Sequence, residues 1–418
     1  SERWGDPTNW TGDRLPGVGE AGADLVNGAN ISLSSGTRQI GSFTTVPGAD
    51  LTIASGGALV LEGQPGISTF QGAVTVGAGS SFTIASAATA NLASLETTGD
   101  VIVDGTATIT AFGLRGNDLY EGSLAGSGSV TITDNFVRDR RTDATSYGNL
   151  GGGTLSSLSI TQASGQLDPG PVSVAGSLAL NAAAGDLYIH DAISAGTTFL
   201  GRGANGITLD LYASIHAGAT SGDSLVLDAG TGHFYNYDGG GFQQTIFPPV
   251  IRFDVQPGAR WLVYSNSPER DGLGFIDLPE GLAYQFKQYG KAYGDTTPVA
   301  GTGNGIIYRV SPTITPGLTG TITKAYDGTT DAALTAPNYT TSGAIDGDAP
   351  PLARRAAARS ANTRRLPCCW SRAAPMRFSQ AAWSASTAPA RSGSSAPRRA
   401  WPGACRGRAA CTCGPRSA

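Results

Sequence analysis

Asp186, His190 and Asp191 sit within one short stretch, GDLYIHDAIS, and are the residues best placed to do chemistry. Two carboxylates beside an imidazole can pass protons to and from a sugar oxygen or a ring C–H. Glycan hydrolases and lyases both depend on that step. Alternation along an extended chain works against such a site, because it puts Asp186, Tyr188 and His190 on one face and Asp191 on the other. The chain holds only two further histidines, His216 and His233, and three lysines, Lys287, Lys291 and Lys324, none recurring at a spacing that would line a cleft. The stretch is therefore expected to be an outward polar face. No catalytic residue is assigned, and the expectation is a non-enzymatic chain.

Two other groups are candidates for binding. Arg138, Arg140 and Arg141 lie in NFVRDRRTDATSY with Asp139 and Asp143. This reads either as a solvated loop with weakly paired charges or as a small patch for carboxylates and sulfates, which arginine forks suit. Trp4 and Trp10 are separated by the turn residues Asp6, Pro7 and Asn9. They read as indoles covering the end of the fold, or alternatively as a flat platform for a sugar ring. The string Gly116-Asn117-Asp118-x-Tyr120-x-Gly122 looks like one unit of a calcium-binding nonapeptide. Such sites need oxygens from successive units, so a single copy implies a loop, with no metal and no cofactor.

The elements that would position these residues are short strands. From Leu51 to Thr133 the chain reads LTIASGGALVLEG, AVTVGAGSSFTIAS, GDVIVDGTATIT and GSVTITD. Each apolar or β-branched run is closed by Gly, Ser, Asp or Asn, and alternation in runs this short argues for strands joined by tight turns. ISLSSG at Ile31 and LTIASG at Leu51 start 51 − 31 = 20 residues apart. LSI at Leu158 and LAL at Leu178 start 178 − 158 = 20 apart. A degenerate, strand-rich period near 20 predicts an all-β chain wound as a right-handed parallel β-solenoid (β-helix). Residues 1–241 are assigned to it. At ~4.8 Å per coil they would span roughly 60 Å.

Composition suits a displayed surface rather than a charged one. Charged residues are 14% of 418, and Gly totals 60. The last 70 residues hold 13 of the 28 basic side chains and none of the 32 acidic ones, so the body carries (28 − 13) − 32 = −17. All five cysteines, Cys368, Cys369, Cys405, Cys411 and Cys413, lie in that tail without zinc-site spacing. A body free of cysteine suits export through an oxidising compartment. The sequence starts at Ser1 without a signal peptide, which reads as an internal fragment of something longer.

Residues 231–249 are aromatic and Gly-rich and end in Pro248-Pro249, which reads as a cap on the solenoid. Residues 242–312, denser in aromatics, are expected to form a β-rich transition module with its own core. RWLVYSNSP (Arg260–Pro268), FKQYGKAYG (Phe286–Gly294), GTGNGIIYRVSPTIT (Gly301–Thr315) and LTGTITKAYDGTTDAALTAPNYTTSGAIDGD (Leu318–Asp348) resemble filamentous-haemagglutinin-type bacterial adhesins, which carry YDG repeats after a β-solenoid. The most specific piece is Lys324, Ala325, Tyr326, Asp327, Gly328, Thr329 and Thr330, echoed 324 − 291 = 33 residues earlier by Lys291-Ala292-Tyr293-Gly294-Asp295-Thr296-Thr297. Asp-Gly followed by two threonines reads as a hairpin turn running into a strand.

The resemblance implies a secreted, outer-membrane-associated surface protein, exported by two-partner secretion or as an autotransporter. Its implied partners are an outer-membrane export protein and host-cell or matrix glycans and proteins or other bacterial cells, with no nucleic acid. Residues 313–348 would be a truncated YDG repeat. Residues 349–418 lose every acidic residue and all alternation, so they are expected to be disordered. The abrupt switch after Asp348 reads as a shifted reading frame, or else as a basic arm for nucleic acid or anionic lipid. The alternatives are a polysaccharide-degrading solenoid and a purely structural spacer.

Overall fold

The runs 20 residues apart lie side by side. Ile31 pairs in parallel with Leu51, and Leu158 with Leu178. The computed structural model describes residues 2–10, 23–24, 30–63, 66–116, 122–138, 150–210, 213–236, 253–268, 282–321, 334–345 and 347–350. It is an all-β parallel solenoid of about 10 turns with about 3% helix. The segments Asn117–Glu121 and Asp139–Asn149, the motif Lys324–Thr330 and nearly all of the tail lie outside the described residues.

Up to Ala259–Ser265, parallel neighbours are one coil apart in sequence, so an inner strand pairs with the coil before and the coil after it. At the end Gly305–Tyr308 lies between Ala259–Ser265 and Phe286–Tyr289, out of chain order. The longest sheet runs Glu2–Arg3, Ile31–Leu33, Leu51–Ile53, Ser68–Val76, Thr89–Thr97, Thr106–Leu114, Ser129–Arg138, Ser157–Gln162, Ser177–Ala182, Phe199–Gly203, Gly222–Asp228, Ala259–Ser265, Gly305–Tyr308 and Phe286–Tyr289. In the first half a second sheet stacks Gly36–Ile40, Gly57–Leu61, Ser81–Ile84, Asp100–Val103 and Ser123–Ala125. Beyond residue 170 each coil instead contributes to three sheets. One holds Asp186–Ile189, Gly206–Leu209 and His233–Asn236. Another holds Val172–Val174, Ala192–Ala195, Ser214–Ala217 and Phe253–Val255.

Alternation places one side chain in two inside. Leu59, Leu61, Phe82, Ile84, Val101 and Val103 are all fully buried, one rung above another. Aromatic rings fill the wider parts of the interior. Phe43 lies 5.2 Å from Phe70, and Phe70 lies 5.8 Å from Phe82. The corners are glycines for a steric reason. A Cβ on Gly185 would stand 1.7 Å from the Gly165 carbonyl oxygen, and one on Gly196 would stand 1.9 Å from that of Ala175. At those corners, backbone of one coil rests directly on backbone of the next.

The coils continue past Gly241, where the sequence reading ended them. Phe253–Val255 and Ala259–Ser265 pair in parallel with Ser214–Ala217 and Gly222–Asp228. Gly305–Tyr308 then adds to Ala259–Ser265. A separate small core does exist at this end, on the outer side of the longest sheet. Val226, Leu262, Tyr264 and Ile307 are buried there against Leu200, Phe286 and Val299. The aromatic density of the segment thus serves both the last coils and a cover laid over them.

Two units are distinguished, one of residues 1–313 with 343–349, the other of 314–342 with 350–418. In the second, Thr315–Leu318 pairs antiparallel with Tyr339–Ser342. Ala336–Asn338 forms a 3-10 turn, with Asn338 Oδ1 accepting from the Thr335 backbone N–H at 2.9 Å.

Candidate functional site

Asp186–Ile189 and Ala192–Ala195 belong to different sheets, so the chain turns a corner at His190 and Asp191. Alternation stops at Ile189, and the expectation that Asp191 faces away from His190 fails for that reason. Asp191 Oδ2 lies 3.5 Å from His190 Nδ1. On the other side His190 Nε2 lies 3.6 Å from Asp210 Oδ2. The Tyr188 hydroxyl donates to that same Asp210 oxygen. Asp186 stands apart from this group, exposed at the start of its strand.

Asp210 escaped the sequence reading, although its signal was present. Ile189 pairs with Leu209, so the next residue of each coil meets at the corner, and 210 − 190 = 20 repeats the coil offset. The group is an imidazole between two carboxylates, one of them also bound by a phenol. It can relay protons and hold a cationic or hydroxylated ligand. Among the described residues no group of three or more His, Cys, Asp or Glu side chains converges as a metal site.

The adjoining face of the same coils carries a second polar set. Ser173, Ser194, His216 and Asp254 occupy one outward column, each paired with the next through the ladder. His216 Nδ1 and Asp254 Oδ2 are 2.7 Å apart. Between this column and the corner lie Ala192 and Ser214, themselves partners across the coils.

The other sequence candidates are placed as follows. Trp4 and Trp10 are 4% and 2% exposed, with ring centroids 4.7 Å apart, and both pack on Phe43. The Trp10 indole N–H donates to the Trp4 carbonyl at 3.1 Å. They close the first coil, and neither offers a face to a sugar. Arg138 turns inward. It is buried, and its guanidinium donates to the carbonyl oxygens of Pro169 at 2.7 Å and Pro171 at 3.0 Å. It fastens one coil to the next and is not part of an exposed anion patch. Arg140 and Arg141 lie outside the described residues, as do Lys324, Tyr326, Asp327, Gly328, Thr329 and Thr330.

The echo of that last motif is described, and lysine is its centre. Lys291 is buried, and its ammonium donates to the carbonyl and hydroxyl oxygens of Thr297 and to the Asp295 carbonyl. Asp295 Oδ2 accepts from the Ala292 N–H at 2.8 Å, and Gly294 takes a φ of +86°. The seven residues are a loop tied shut by one cation, not a strand-to-strand hairpin. Tyr293 then reaches over the cover, its ring 5.4 Å from Tyr264 and under the Arg202 guanidinium. Burial, and next the Asp223 carboxylate, push the Tyr264 phenol up to about 12.

These features define an all-β parallel solenoid with a polar corner and an adjacent Ser–His–Asp column. Comparison of the chain with protein-family models, curated proteins and solved structures finds no match.

Proposed function

We propose that the chain is the solenoid portion of a secreted, cell-surface adhesin of the filamentous-haemagglutinin type, wound right-handed and followed by YDG modules. The observation that carries this reading is the outer face of the longest sheet. Thr69, Asn91, Thr108, Thr131 and Ser159 form one outward column, each the ladder partner of the next. Thr89, Thr106, Ser129, Ser157 and Ser177 form a parallel one. No charge interrupts either column. Each hydroxyl contributes only about 0.5–1.5 kcal/mol in a new hydrogen bond, because it exchanges water for the partner. A rigid array adds such small terms together, which is how a charge-poor surface attaches to glycans or matrix proteins.

The resemblance supplies the partners, namely host-cell or matrix glycans and proteins and an outer-membrane export protein. Attachment is tested with beads coated with the full chain and applied to cultured cells and to matrix. The paired change Thr108→Lys with Thr131→Glu interrupts the first column while leaving neighbouring charges opposite. It should lower bead retention about tenfold. The same pair on the other sheet, Thr83→Lys with Ile102→Glu, should leave retention unchanged. Equal retention of wild type and both variants, or no retention at all, overturns the reading.

A second reading, proton-transfer chemistry on a bound glycan, is favoured by the Tyr188, His190, Asp191 and Asp210 group. Release of reducing ends or unsaturated uronates from pectin, alginate or glycosaminoglycans, lost on Asp210→Asn, would establish it in place of the first.

A further inference from the structure

We infer that Ser194, His216 and Asp254 form a nucleophilic row that accepts an acyl group from an O-acyl ester, and this inference is independent of the attachment reading. Three consecutive coils supply one residue each. Ladder pairing puts Ser194 beside His216 and His216 beside Asp254, all on the outer side of one sheet. The carboxylate can only accept, so the 2.7 Å contact makes His216 Nδ1 the donor. That leaves Nε2 as the basic nitrogen, as an imidazole must be to take a proton from a neighbouring hydroxyl. Asp254 fixes the tautomer and orientation of the ring, which makes it a positioning residue.

In the step proposed, Ser194 Oγ forms a bond to the ester carbonyl carbon while its proton moves to His216 Nε2. The alcohol departs with that proton as the old C–O bond breaks. Water then attacks the acyl-serine, giving its proton to His216 and restoring the Ser194 hydroxyl. The net change is ester plus water to carboxylic acid plus alcohol, with no redox step. The backbone N–H groups of Ala192–Ala195 are committed to the ladder, so the row lacks the donors that stabilise an oxyanion elsewhere. It therefore suits small or activated esters, such as acyl groups carried on a glycan lying along the face.

The column contains its own control. Ser173 is the next rung below Ser194 and has no imidazole beside it in the ladder. The full chain is treated with an alkyl fluorophosphonate, which reacts with activated serines, and the adduct is located by peptide mass spectrometry. Ser194 should be labelled and Ser173 should not. His216→Ala should slow labelling about 10²-fold, the scale of general-base assistance. Asp254→Asn should slow it about tenfold, with restoration by Asp254→Glu, a pattern that loss of packing at an exposed residue would not produce. All three positions face outward, so circular dichroism should stay unchanged. No adduct at Ser194, equal labelling of Ser173, or labelling indifferent to His216→Ala overturns the proposal.

Discussion

One column of the longest sheet passes through two different surroundings. From Thr69 through Asn91, Thr108 and Thr131 to Ser159 it is polar and faces outward. It then continues through Ala179, Leu200 and Val226 to Leu262. At its far end Val226 and Leu262 are buried beneath Phe286 and Val299. Backbone pairing is the same throughout, so the switch lies wholly in the side chains. Hydroxyls leave the sheet as a surface, whereas aliphatics make it the floor of a second core. A solenoid can thus be extended or covered without changing its winding.

The largest test of that contrast is Leu262→Ala. Leu262 is fully buried although it faces away from the solenoid interior, and its truncation should destabilise by about 3–4 kcal/mol in urea unfolding. If the cost is below about 1 kcal/mol, the covered face is not a core. Gly185→Ala comes next, because both regions depend on coils resting on each other. Its Cβ would overlap the Gly165 oxygen, and about 2–3 kcal/mol should be lost. Lys291→Met removes the cation that ties the cover's loop and strands its carbonyl acceptors. A loss of about 2 kcal/mol is expected, read by hydrogen exchange as faster opening of residues 286–304 with the hydroxyl-faced coils unaffected.

Asp348 provides a smaller, pH-dependent test of the covered end. Burial raises its pKa, but hydrogen bonds from Lys287, at 2.6 Å, and Tyr289, at 2.5 Å, together with the Lys287 charge, outweigh that and hold it below the ordinary carboxylate value. A depressed native pKa contributes stability that is present above the unfolded value of about 3.9 and is lost as pH falls through the lower native value. The group is partly exposed, so Asp348→Asn should cost less than about 1 kcal/mol at pH 7, and the difference should vanish in strong acid. A difference that grew on acidification would contradict this sign. Thr131→Val should change stability by no more than about 0.5 kcal/mol, as expected for an exposed position.

Much of this was legible in the chain. The 20-residue offsets named real ladder partners, Ile31 with Leu51 and Leu158 with Leu178. Other coils were hidden by their lengths, such as Leu92 to Ile109, 109 − 92 = 17, and Ile132 to Ile160, 160 − 132 = 28. The Asp186–Asp191 stretch stands out in the sequence, but alternation ends with the strand at Ile189, and carrying it two residues further puts Asp191 on the wrong side. Asp254 meets His216 from 38 residues away, because the intervening coil carries a long insertion, and no periodic rule would have joined them. Trp4, Trp10 and Arg138, chosen for binding, proved to be fasteners. Their types suit exposure and burial alike, and only packing decides between the two.

The central claim is that these residues are stacked in register, one coil above another. It is tested most directly by distances between paired spin labels, with the tail cysteines replaced by serine and one label kept at Thr69. Thr131, Ser159 and Ala179 lie three, four and five ladder steps along the same column. Backbone separations should therefore rise evenly, at ~14, ~19 and ~24 Å for a spacing of ~4.8 Å per coil. Distances that fail to increase from Thr131 to Ser159 to Ala179 would contradict the account.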